Sequence, residues 1–457
     1  MVVILKYAGA DATAAYDEIH APGILEKGLS KDNYIGHIDP DVPGPGPAQA
    51  PEQDVSKRKT QPQRPDLYSL ISVHDFEDVA RRFFTPKAFA FYSSAATDLV
   101  SHNANLSIHR KIMLRPRVLR NVKNANISRK ILGHDCSAPF FVSPAAMARL
   151  AHPDGELAIA QGCASQGIIQ TISSNASFPL SDIVSSGQPN PPFFLQLYVN
   201  SERQKTATLL HEAKHLGIKA IFVTVDAPIP GKREADERIA AVNLQSGISG
   251  AVATNDKKGG GLGRVMAKYI DSTLNWEDIA WLKKECDGMP IILKGIQTAA
   301  DAIKALEYGV QGILLSNHGG RSLDTTQASL LTLLELHALC PQIFTQTPPF
   351  EIYLDGGFTC GTDILKALCL GATAIGIGRP YLYSLAYGCE GVKHLTEILK
   401  DELVSSLKLS GITDLNQVHP EMVNTAAIDG LVWRRREVDG HPWIRWKGPR
   451  GRRGPKL

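Results

Sequence analysis

From Gly312 to Asp324 the chain reads Gly-Ile-Leu-Leu-Ser-Asn-His-Gly-Gly-Arg-Ser-Leu-Asp. Its apolar beginning is typical of a strand that is buried on both faces of a parallel sheet. His318 then follows at the carboxyl end of that strand, where α/β folds carry their catalytic groups. Gly319 and Gly320 allow a tight turn, and Arg321 comes directly after them. The stretch therefore predicts an active site with a base that titrates near neutrality and a guanidinium that fits a carboxylate.

Seven further stretches have the same strand character, and helical stretches such as 201–216 and 298–308 alternate with them. The eight predicted strands are 140–142, 167–171, 193–197, 220–225, 290–293, 312–315, 351–354 and 374–377. Parallel strands require crossover connections of this kind. The pattern predicts the α/β class and, within it, a (β/α)8 TIM barrel.

Polar or small residues follow most of these strands, where a core would require Val or Leu. They are Ala145 and Ala146, Ser173, Gln196 with Tyr198, Thr224 with Asp226, Lys294, His318 with Arg321, Asp355-Gly356-Gly357, and Gly378-Arg379. In a barrel these groups converge on one mouth, and burying them without partners costs about 1–3 kcal/mol each. A ligand is therefore expected there. The glycine-rich ends of strands seven and eight predict a phosphate-bearing cofactor.

Composition excludes several classes of protein. The 457 residues carry a net charge of +3, with 43% hydrophobic and 21% charged residues, so no global charge excess attracts nucleic acid. No apolar run approaches the roughly 18 residues of a membrane span. The seven cysteines are odd in number and form no Cys-x-x-Cys pair. This usage favours a reduced compartment and predicts no metal site.

The two ends of the chain differ from its middle. Residues 41–66 are rich in Pro, Gly and polar residues and read as a linker, and residues 431–457 form a basic tail that we expect to be a solvated extension. The predicted domains are therefore 1–40, the linker 41–66, the barrel 67–430 and the tail. The last residues, Pro455-Lys456-Leu457, differ by one residue from a peroxisomal Ser-Lys-Leu signal. Cytoplasm, peroxisome and mitochondrial intermembrane space all stay open as locations.

Residues 68–424 resemble the FMN-dependent 2-hydroxy-acid oxidases and dehydrogenases, which include glycolate oxidase and flavocytochrome b2. The signature runs from Ser316 to Asp324, with Ser322 where Gln is common. Further matches are Ala-His-Pro-Asp-Gly-Glu at 151–156, Gln-Leu-Tyr at 196–198, Thr-Val-Asp-Ala-Pro at 224–228, Lys-Gly at 294–295 and Leu-Asp-Gly-Gly at 354–357. The resemblance implies FMN as cofactor and oxidation of an (S)-2-hydroxy acid, such as L-lactate, to its 2-oxo acid.

The resemblance also implies roles for individual residues. His318 matches the catalytic base, Asp226 the carboxylate that orients it, Tyr198 the donor to the substrate hydroxyl, Arg321 the carboxylate clamp and Arg233 a second active-site arginine. Ala145 and Ala146 match residues beside the flavin; Ser173, Gln196, Thr224 and Lys294 match contacts to its ring; Asp355, Gly356, Gly357, Gly378 and Arg379 match contacts to ribityl and phosphate. The alternative for Asp226 and Arg233 is that they only pair with each other.

Three departures from the family pattern bear on function. Phe91 stands where a tyrosine usually contacts the substrate carboxylate, which suggests weaker binding or a bulkier, more apolar acid. Thr359 stands where relatives often carry an arginine towards the phosphate, which suggests weaker FMN binding. Residues 245–275, with glycines at 259–261 and 263, are expected to form a mobile lid loop rather than a nucleotide motif, since no strand leads into them.

Residues 4–22 resemble the latter part of a cytochrome b5-like module, and His20 matches one axial haem ligand. About 40 residues without the second ligand should neither fold alone nor bind haem well, so haem b is not expected in this chain. Oxygen and cytochrome c both stay open as electron acceptors, and the family suggests a homotetramer. A different class also stays open, namely a catalytically impaired flavin-binding redox sensor or partner-binding module.

Overall fold

The computed structural model describes residues 63–187, 192–240, 244–253, 255 and 259–434. Expectations for segment 1–40 with His20, for most of the linker and for most of the basic tail lie outside the described residues. The described residues from Arg64 onward belong to one compact unit. Within the described ranges, no helix is long and apolar enough to cross a membrane.

Short apolar segments form the strands. In chain order they are β1 Met113–Leu114, β2 Arg129–Ile131, β3 His134–Cys136, β4 Phe140–Val142, β5 Gln170–Ser173, β6 Phe193–Leu197, β7 Ala220–Thr224, β8 Leu244–Gln245, β9 Val252–Ala253, β10 Ile291–Ile296, β11 Gly312–Leu315, β12 Glu351–Asp355, β13 Ala374–Ile377 and β14 Val423–Asn424. Eight of them, β4 to β7 and β10 to β13, close into a barrel in chain order, and every pair in it is parallel. The predicted TIM barrel is confirmed.

Helices connect the barrel strands and cover the outside of the barrel. They are α1 Val73–Phe83, α2 Pro86–Ser93, α3 Val100–Ile108, α4 Gly155–Gln166, α5 Leu180–Ser186, α6 Arg203–His215, α7 Glu234–Glu237, α8 Leu262–Met266, α9 Asp278–Cys286, α10 Ala299–Glu307, α11 Ser329–Leu339, α12 Gly361–Cys369, α13 Arg379–Ser384 and α14 Gly388–Leu409. Local signals fix several helix starts. Ser72 and Asp75 form a capping box before α1, and the Thr298 side chain caps α10.

Two strands differ from their predicted ranges by three residues at one end, for local reasons. Strand β5 begins at Gln170 rather than at Gly167, because Gly167 adopts φ 63° and ends helix α4. Strand β10 extends to Ile296, and the register of its pairing shifts between Lys294 and Ile296. Gly295 has φ 108° in this bulge, and a Cβ there would lie 2.5 Å from the Cβ of Asp226. The bulge therefore makes room for a residue of the predicted site.

Large side chains fill the inside of the barrel. Phe194 and Phe222 stack with ring centroids 5.4 Å apart, and Phe141 and Tyr353 pack beside them. The β2–β3 hairpin covers the amino ends of the strands, where the Leu132 amide donates to both Glu351 carboxylate oxygens at 2.9 and 3.1 Å. This end of the barrel is a packed floor, so a ligand has access from the carboxyl ends.

The segment expected to form a lid carries regular structure. It contains the antiparallel β8–β9 hairpin and helix α8, which begins within the glycine run. Leu262, Val265 and Met266 of α8 are buried, so the helix packs against the barrel domain. The segment therefore contains ordered secondary structure that packs on the domain, and its mobility stays a prediction.

Candidate active site

A cavity of about 270 Å³ lies at the carboxyl ends of the barrel strands. Almost every residue that the sequence nominated lines it: Phe91, Ala145, Ala146, Ser173, Gln196, Tyr198, Thr224, Arg233, Lys294, His318, Arg321, Asp355, Gly356, Gly357, Gly378 and Arg379. Asp226 lies behind His318, with its side chain wholly buried. The residues come from different strands, so closure of the barrel is what brings them together.

His318 lies in a strained turn. It adopts φ 61°, and Gly319 and Gly320 follow with φ 63° and 75°. The Asn317 side chain accepts a hydrogen bond from the Gly320 amide at 3.1 Å and holds this turn. A Cβ at Gly320 would lie 2.6 Å from the backbone nitrogen of His102, so a larger residue cannot replace this glycine without displacement. Left-handed backbone at a non-glycine residue is uncommon and concentrates at functional sites.

The His318 ring is held between two side chains. Its Nδ1 lies 2.9 Å from Oδ1 of Asp226, and its Nε2 lies 3.3 Å from the Tyr198 hydroxyl. Asp226 therefore pairs with His318 rather than with Arg233, whose Nε donates to the Arg321 carbonyl at 3.3 Å. A carboxylate on Nδ1 fixes the tautomer and leaves Nε2 as the acceptor that faces the cavity.

The protonation states of these groups follow from burial and nearby charges. Burial and the Lys294 charge lower the pKa of His318 to about 4, against the opposing pull of Asp226. Burial would raise the pKa of Asp226, but nearby His318 and Lys294 outweigh burial and lower it. Burial and Asp226 raise the pKa of Tyr198 to about 12. At neutral pH the site thus holds a neutral imidazole, a carboxylate and a protonated phenol.

Three arginines give the cavity a positive potential. Arg321 donates through Nη1 to the carbonyls of Tyr92 and Ser94 at 2.9 and 2.8 Å, and its Nε and Nη2 bond to no described residue. Its guanidinium carbon lies 5.5 Å from the Phe91 ring centroid, within cation–π range. Burial and the charges of Arg233 and Arg379 lower the pKa of Arg321 well below its ordinary value. An anion is the ligand that relieves this repulsion.

Arg379, nominated for the phosphate, contacts the backbone here. Its Nε donates to the Tyr92 carbonyl at 3.0 Å, and its terminal nitrogens donate to the Ser94 and Gly319 carbonyls at 3.1 Å. Thr359 donates through its amide and hydroxyl to Asp363 at 3.2 Å and adds no charge. Neither residue has all of its hydrogen-bonding capacity free for a phosphate.

Other cavity residues fit a polar planar ring with a phosphate-bearing chain. The Gln196 amide donates to Thr224 Oγ1 at 2.9 Å, and Ser173 Oγ donates to Gln196 Oε1 at 3.3 Å. Lys294 Nζ lies 3.9 Å from Asp355 Oδ2. Asp355 Oδ1 and Ser143 Oγ are buried without a hydrogen-bond partner among the described residues. Buried polar groups without partners, next to polar side chains at the strand ends, require a ligand with hydrogen-bonding groups. A flavin would supply such groups.

Sequence reasoning assigned no role to three buried polar residues around the site. Asn175 lines the cavity, and its Oδ1 accepts from the Ser249 and Tyr269 hydroxyls at 2.6 and 3.1 Å. Glu156 accepts from the amides of Ala148 and Ser177, both at 2.9 Å, and so links two loops at the mouth.

Lys87, the third, lies one helical turn before Phe91 and is 6% exposed. Only the match at 151–156 pointed to one of the three residues, Glu156. The partners of Asn175 and Lys87 come from distant segments, so no local pattern marked these two.

A parallel α/β barrel with these polar side chains and glycines at the carboxyl ends of its strands is typical of one class of protein, the barrel oxidoreductases that bind a phosphate-bearing redox cofactor. More narrowly, this chain belongs to the FMN-dependent dehydrogenase family, whose sequence pattern matches residues 80–425. FMN is therefore its cofactor, and the chain is an enzyme of that family. The resemblance that the motifs indicated is confirmed.

Curated relatives and solved structures agree with this assignment. L-lactate dehydrogenase (cytochrome) of Wickerhamomyces anomalus is 37% identical over 93% of this chain and 74% of its own length. Glycolate oxidase of Spinacia oleracea is 36% identical over 76% of this chain and 94% of its own length. The flavin-binding domain of baker's yeast flavocytochrome b2 superposes with a TM-score of 0.72 at 36% identity, covering 86% of this chain and 96% of that one. Mandelate oxidase with (S)-4-hydroxymandelic acid gives 0.71 at 30% identity, covering 78% and 98%.

Proposed function

We propose that this enzyme oxidises an (S)-2-hydroxy acid to the 2-oxo acid, with His318 as the base. The observation that carries the proposal is the arrangement of His318. Its ring lies between Asp226 at 2.9 Å and Tyr198 at 3.3 Å, and it faces a cavity that Arg233 and Arg321 also line. A neutral base beside two guanidiniums suits an anionic substrate that must lose a proton.

The substrate carboxylate would be bound by the arginines. Nε and Nη2 of Arg321 form a fork that no described residue occupies, and a carboxylate accepts two parallel hydrogen bonds from such a fork. Arg233 adds a second positive charge. Phe91 has no hydroxyl to contribute, so the arginines carry the carboxylate contact. The geometry agrees with what Phe91 suggests: the enzyme binds its substrate more weakly, or its substrate is a bulkier and more apolar acid.

The proton would leave through the histidine. With the carboxylate held by Arg321, the 2-hydroxyl group and the C2 hydrogen would be directed towards Nε2 of His318, which lines the same cavity. Tyr198, protonated at neutral pH, donates a hydrogen bond to the substrate oxygen. Asp226 stabilises the imidazolium that forms, because its carboxylate is bonded to Nδ1. Besides burial and Lys294, the Arg233 charge also lowers the pKa of His318. Binding of an anion offsets that charge, so the pKa of His318 rises and the imidazole becomes a more effective base.

FMN, when bound, supplies the acceptor for the two electrons that leave the substrate. Ser173, Gln196 and Thr224 would bond its ring, with Lys294 as a fixed positive charge beside them and Ala145 and Ala146 packed against it. Asp355, Gly356, Gly357, Gly378 and Arg379 would hold the ribityl phosphate. Gly356 and Gly357 also have a structural reason to be glycine, since a Cβ at either would lie within 3.0 Å of Asn105.

The final electron acceptor is either oxygen or cytochrome c. Among the relatives, one group is named L-lactate dehydrogenase (cytochrome) and another 2-hydroxyacid oxidase, so the family contains both kinds. The division into segment 1–40, linker 41–66, barrel 67–430 and tail 431–457 stays a prediction, as does the homotetramer.

The test is an anaerobic titration of the purified holoenzyme with L-lactate, glycolate, L-mandelate and a longer L-2-hydroxy acid, followed by flavin absorbance. Bleaching by one of these acids but not by its D-enantiomer is the expected result. Admission of air or addition of oxidised cytochrome c then identifies the acceptor by the rate at which colour returns. A flavin that no acid bleaches would reject the proposal and favour the binding module as the function.

A further inference from the structure

The glycine run at 259–263 has a structural explanation that points to the active site. A Cβ at Gly259 would lie 2.5 Å from the Glu237 carbonyl oxygen, and one at Gly261 would lie 2.8 Å from Cγ of Glu237. A Cβ at Gly263 would lie 2.3 Å from Nη1 of Arg233. The run therefore lies directly against helix α7, and its last glycine lies against the guanidinium that we assign to the substrate carboxylate.

Lys87 of helix α2 binds both helix α7 and the glycine run. Its ammonium, with three N–H donors, lies within hydrogen-bonding distance of four oxygens: the Asp236 carboxylate and carbonyl at 2.6 Å each, the Gly260 carbonyl at 2.8 Å and the Ile239 carbonyl at 3.0 Å. Lys87 and Asp236 are 6% and 1% exposed. A lysine buried to this degree requires such partners, because its charge has lost its hydration. One side chain therefore joins α2, α7 and the start of α8.

Asp236 connects Lys87 to the residues that contact Arg233. Its Oδ1 pairs with Lys87, and its Oδ2 accepts from the Gly263 amide at 3.3 Å. Gly263 and the Arg321 carbonyl, which accepts from Arg233 Nε, both contact the Arg233 side chain. Lys87, Asp236 and Gly263 thus form a connected series of contacts that ends at the arginine. We call these three residues the arginine clamp.

We propose that Lys87 is a positioning residue, which acts through Asp236 and Gly263 to hold the Arg233 guanidinium in the cavity for the substrate carboxylate. This inference rests on the proposed function and assigns a role to Lys87 and Asp236, which do not line the cavity. Because a catalytic group displaced by about 1 Å loses up to a hundredfold in rate, fixing a flexible arginine is worth a buried ion pair. Lys87 also lies in the same helix as Phe91, so one helix sets both sides of the carboxylate site.

The first test compares Lys87→Met with Arg233→Met in the holoenzyme. Oxalate, a small dicarboxylate, serves as the binding probe and is titrated through the change in flavin absorbance. We expect each variant to weaken oxalate binding and raise KM by about tenfold or more, with a smaller change in kcat. The double variant should bind oxalate no more weakly than Arg233→Met alone, since Lys87 acts through that arginine. Lys232→Met is the matched control, because the Lys232 side chain, two residues before Glu234 of α7, forms an exposed ion pair with that glutamate.

A second pair of variants keeps the test valid if Lys87→Met folds poorly. Gly263→Ala introduces a methyl group against Arg233, whereas Gly261→Ala introduces one against the Glu237 side chain. The first should weaken oxalate binding as Arg233→Met does, and the second should leave it within about threefold of the parent, because its methyl group meets Glu237 and not Arg233.

Two results would overturn the clamp: additive losses in the Lys87→Met/Arg233→Met double variant, or a crystal structure of Lys87→Met in which the Arg233 guanidinium keeps its contact with Gly263. The crystal structure tests the clamp even if the parent enzyme neither binds oxalate nor turns over an acid. Failure of the parent in both assays would instead reject the proposed function.

Discussion

Strand β12 carries a carboxylate at each end, and the two ends have opposite environments. At the floor, Glu351 accepts from the Leu132 amide through both oxygens and also from the Tyr353 hydroxyl. At the mouth, Asp355 has Lys294 at 3.9 Å, and its Oδ1 is buried without a partner among the described residues. Burial raises the pKa of both carboxyls. At the floor, Glu351 has its partners within the protein, whereas at the mouth Asp355 keeps one oxygen for a ligand.

The same contrast separates stability from chemistry. Aromatic rings fill the barrel above the floor, so changes there alter packing and leave the reacting groups in place. At the mouth, the left-handed His318 and the converging arginines are arrangements that cost stability by themselves. We therefore expect substitutions at the mouth to reduce activity more than stability, and those at the floor to do the reverse.

His318→Asn should give the largest effect. Asparagine tolerates the left-handed backbone of this position but cannot act as the base. We expect kcat to fall by about 10²–10⁴-fold, the usual contribution of a general base, while the flavin spectrum and the Tm stay close to those of the parent. Anaerobic stopped-flow measurement of flavin reduction checks this directly. A loss of less than about tenfold would contradict the role of His318.

Arg321→Met should come next. Removing the guanidinium fork deletes charged hydrogen bonds of about 1.5–3 kcal/mol, so kcat/KM should fall by about ten- to a hundredfold, mainly through KM. Arg321→Lys keeps the charge without the fork and should fall in between. Steady-state kinetics with the best substrate from the anaerobic titration measures both. Equal kcat/KM in the methionine variant and the parent would exclude a carboxylate contact.

The pH dependence should follow the histidine of the free enzyme. The pKa of His318 is about 4, and only the neutral ring accepts a proton. As pH falls through that value, kcat/KM should decrease about tenfold per pH unit, and it should be level from about pH 5 to 8. Circular dichroism at each pH distinguishes this acid limb of the kcat/KM profile from unfolding of the protein. A limb centred near pH 6.5, the ordinary histidine value, would mean that Lys294 and burial do not depress the pKa.

Tyr353→Phe at the floor should have the smallest effect on catalysis. It removes a hydrogen bond to the carboxylate of Glu351 and leaves the Leu132 amide as the donor to that oxygen. We expect a loss of about 1–3 kcal/mol in the free energy of unfolding, with kcat and KM unchanged. Chemical denaturation of the holoenzyme and steady-state kinetics give the two numbers. A drop in kcat/KM as large as that of Arg321→Met would remove the distinction between floor and mouth.

Much of the fold and site was accessible from the sequence because local signals specify them. Each barrel strand is a short apolar run that ends in polar or glycine residues, so the eight strands and the class of barrel followed from pattern alone. The strand boundaries were less accessible. Gly167 ends a helix rather than beginning a strand, and the bulge at Gly295 packs closely against Asp226, which follows a different strand.

By itself, the sequence determined which residues meet at the mouth, since parallel strands must all present their carboxyl ends on one side. Only the tertiary structure decided how those residues pair. It paired Asp226 with His318, bound Arg379 to backbone carbonyls and paired Lys87 with Asp236. The physical reason is range: strand and turn propensities act over a few neighbouring residues, whereas a buried charge takes its partner from whatever segment the packed fold brings within hydrogen-bonding distance.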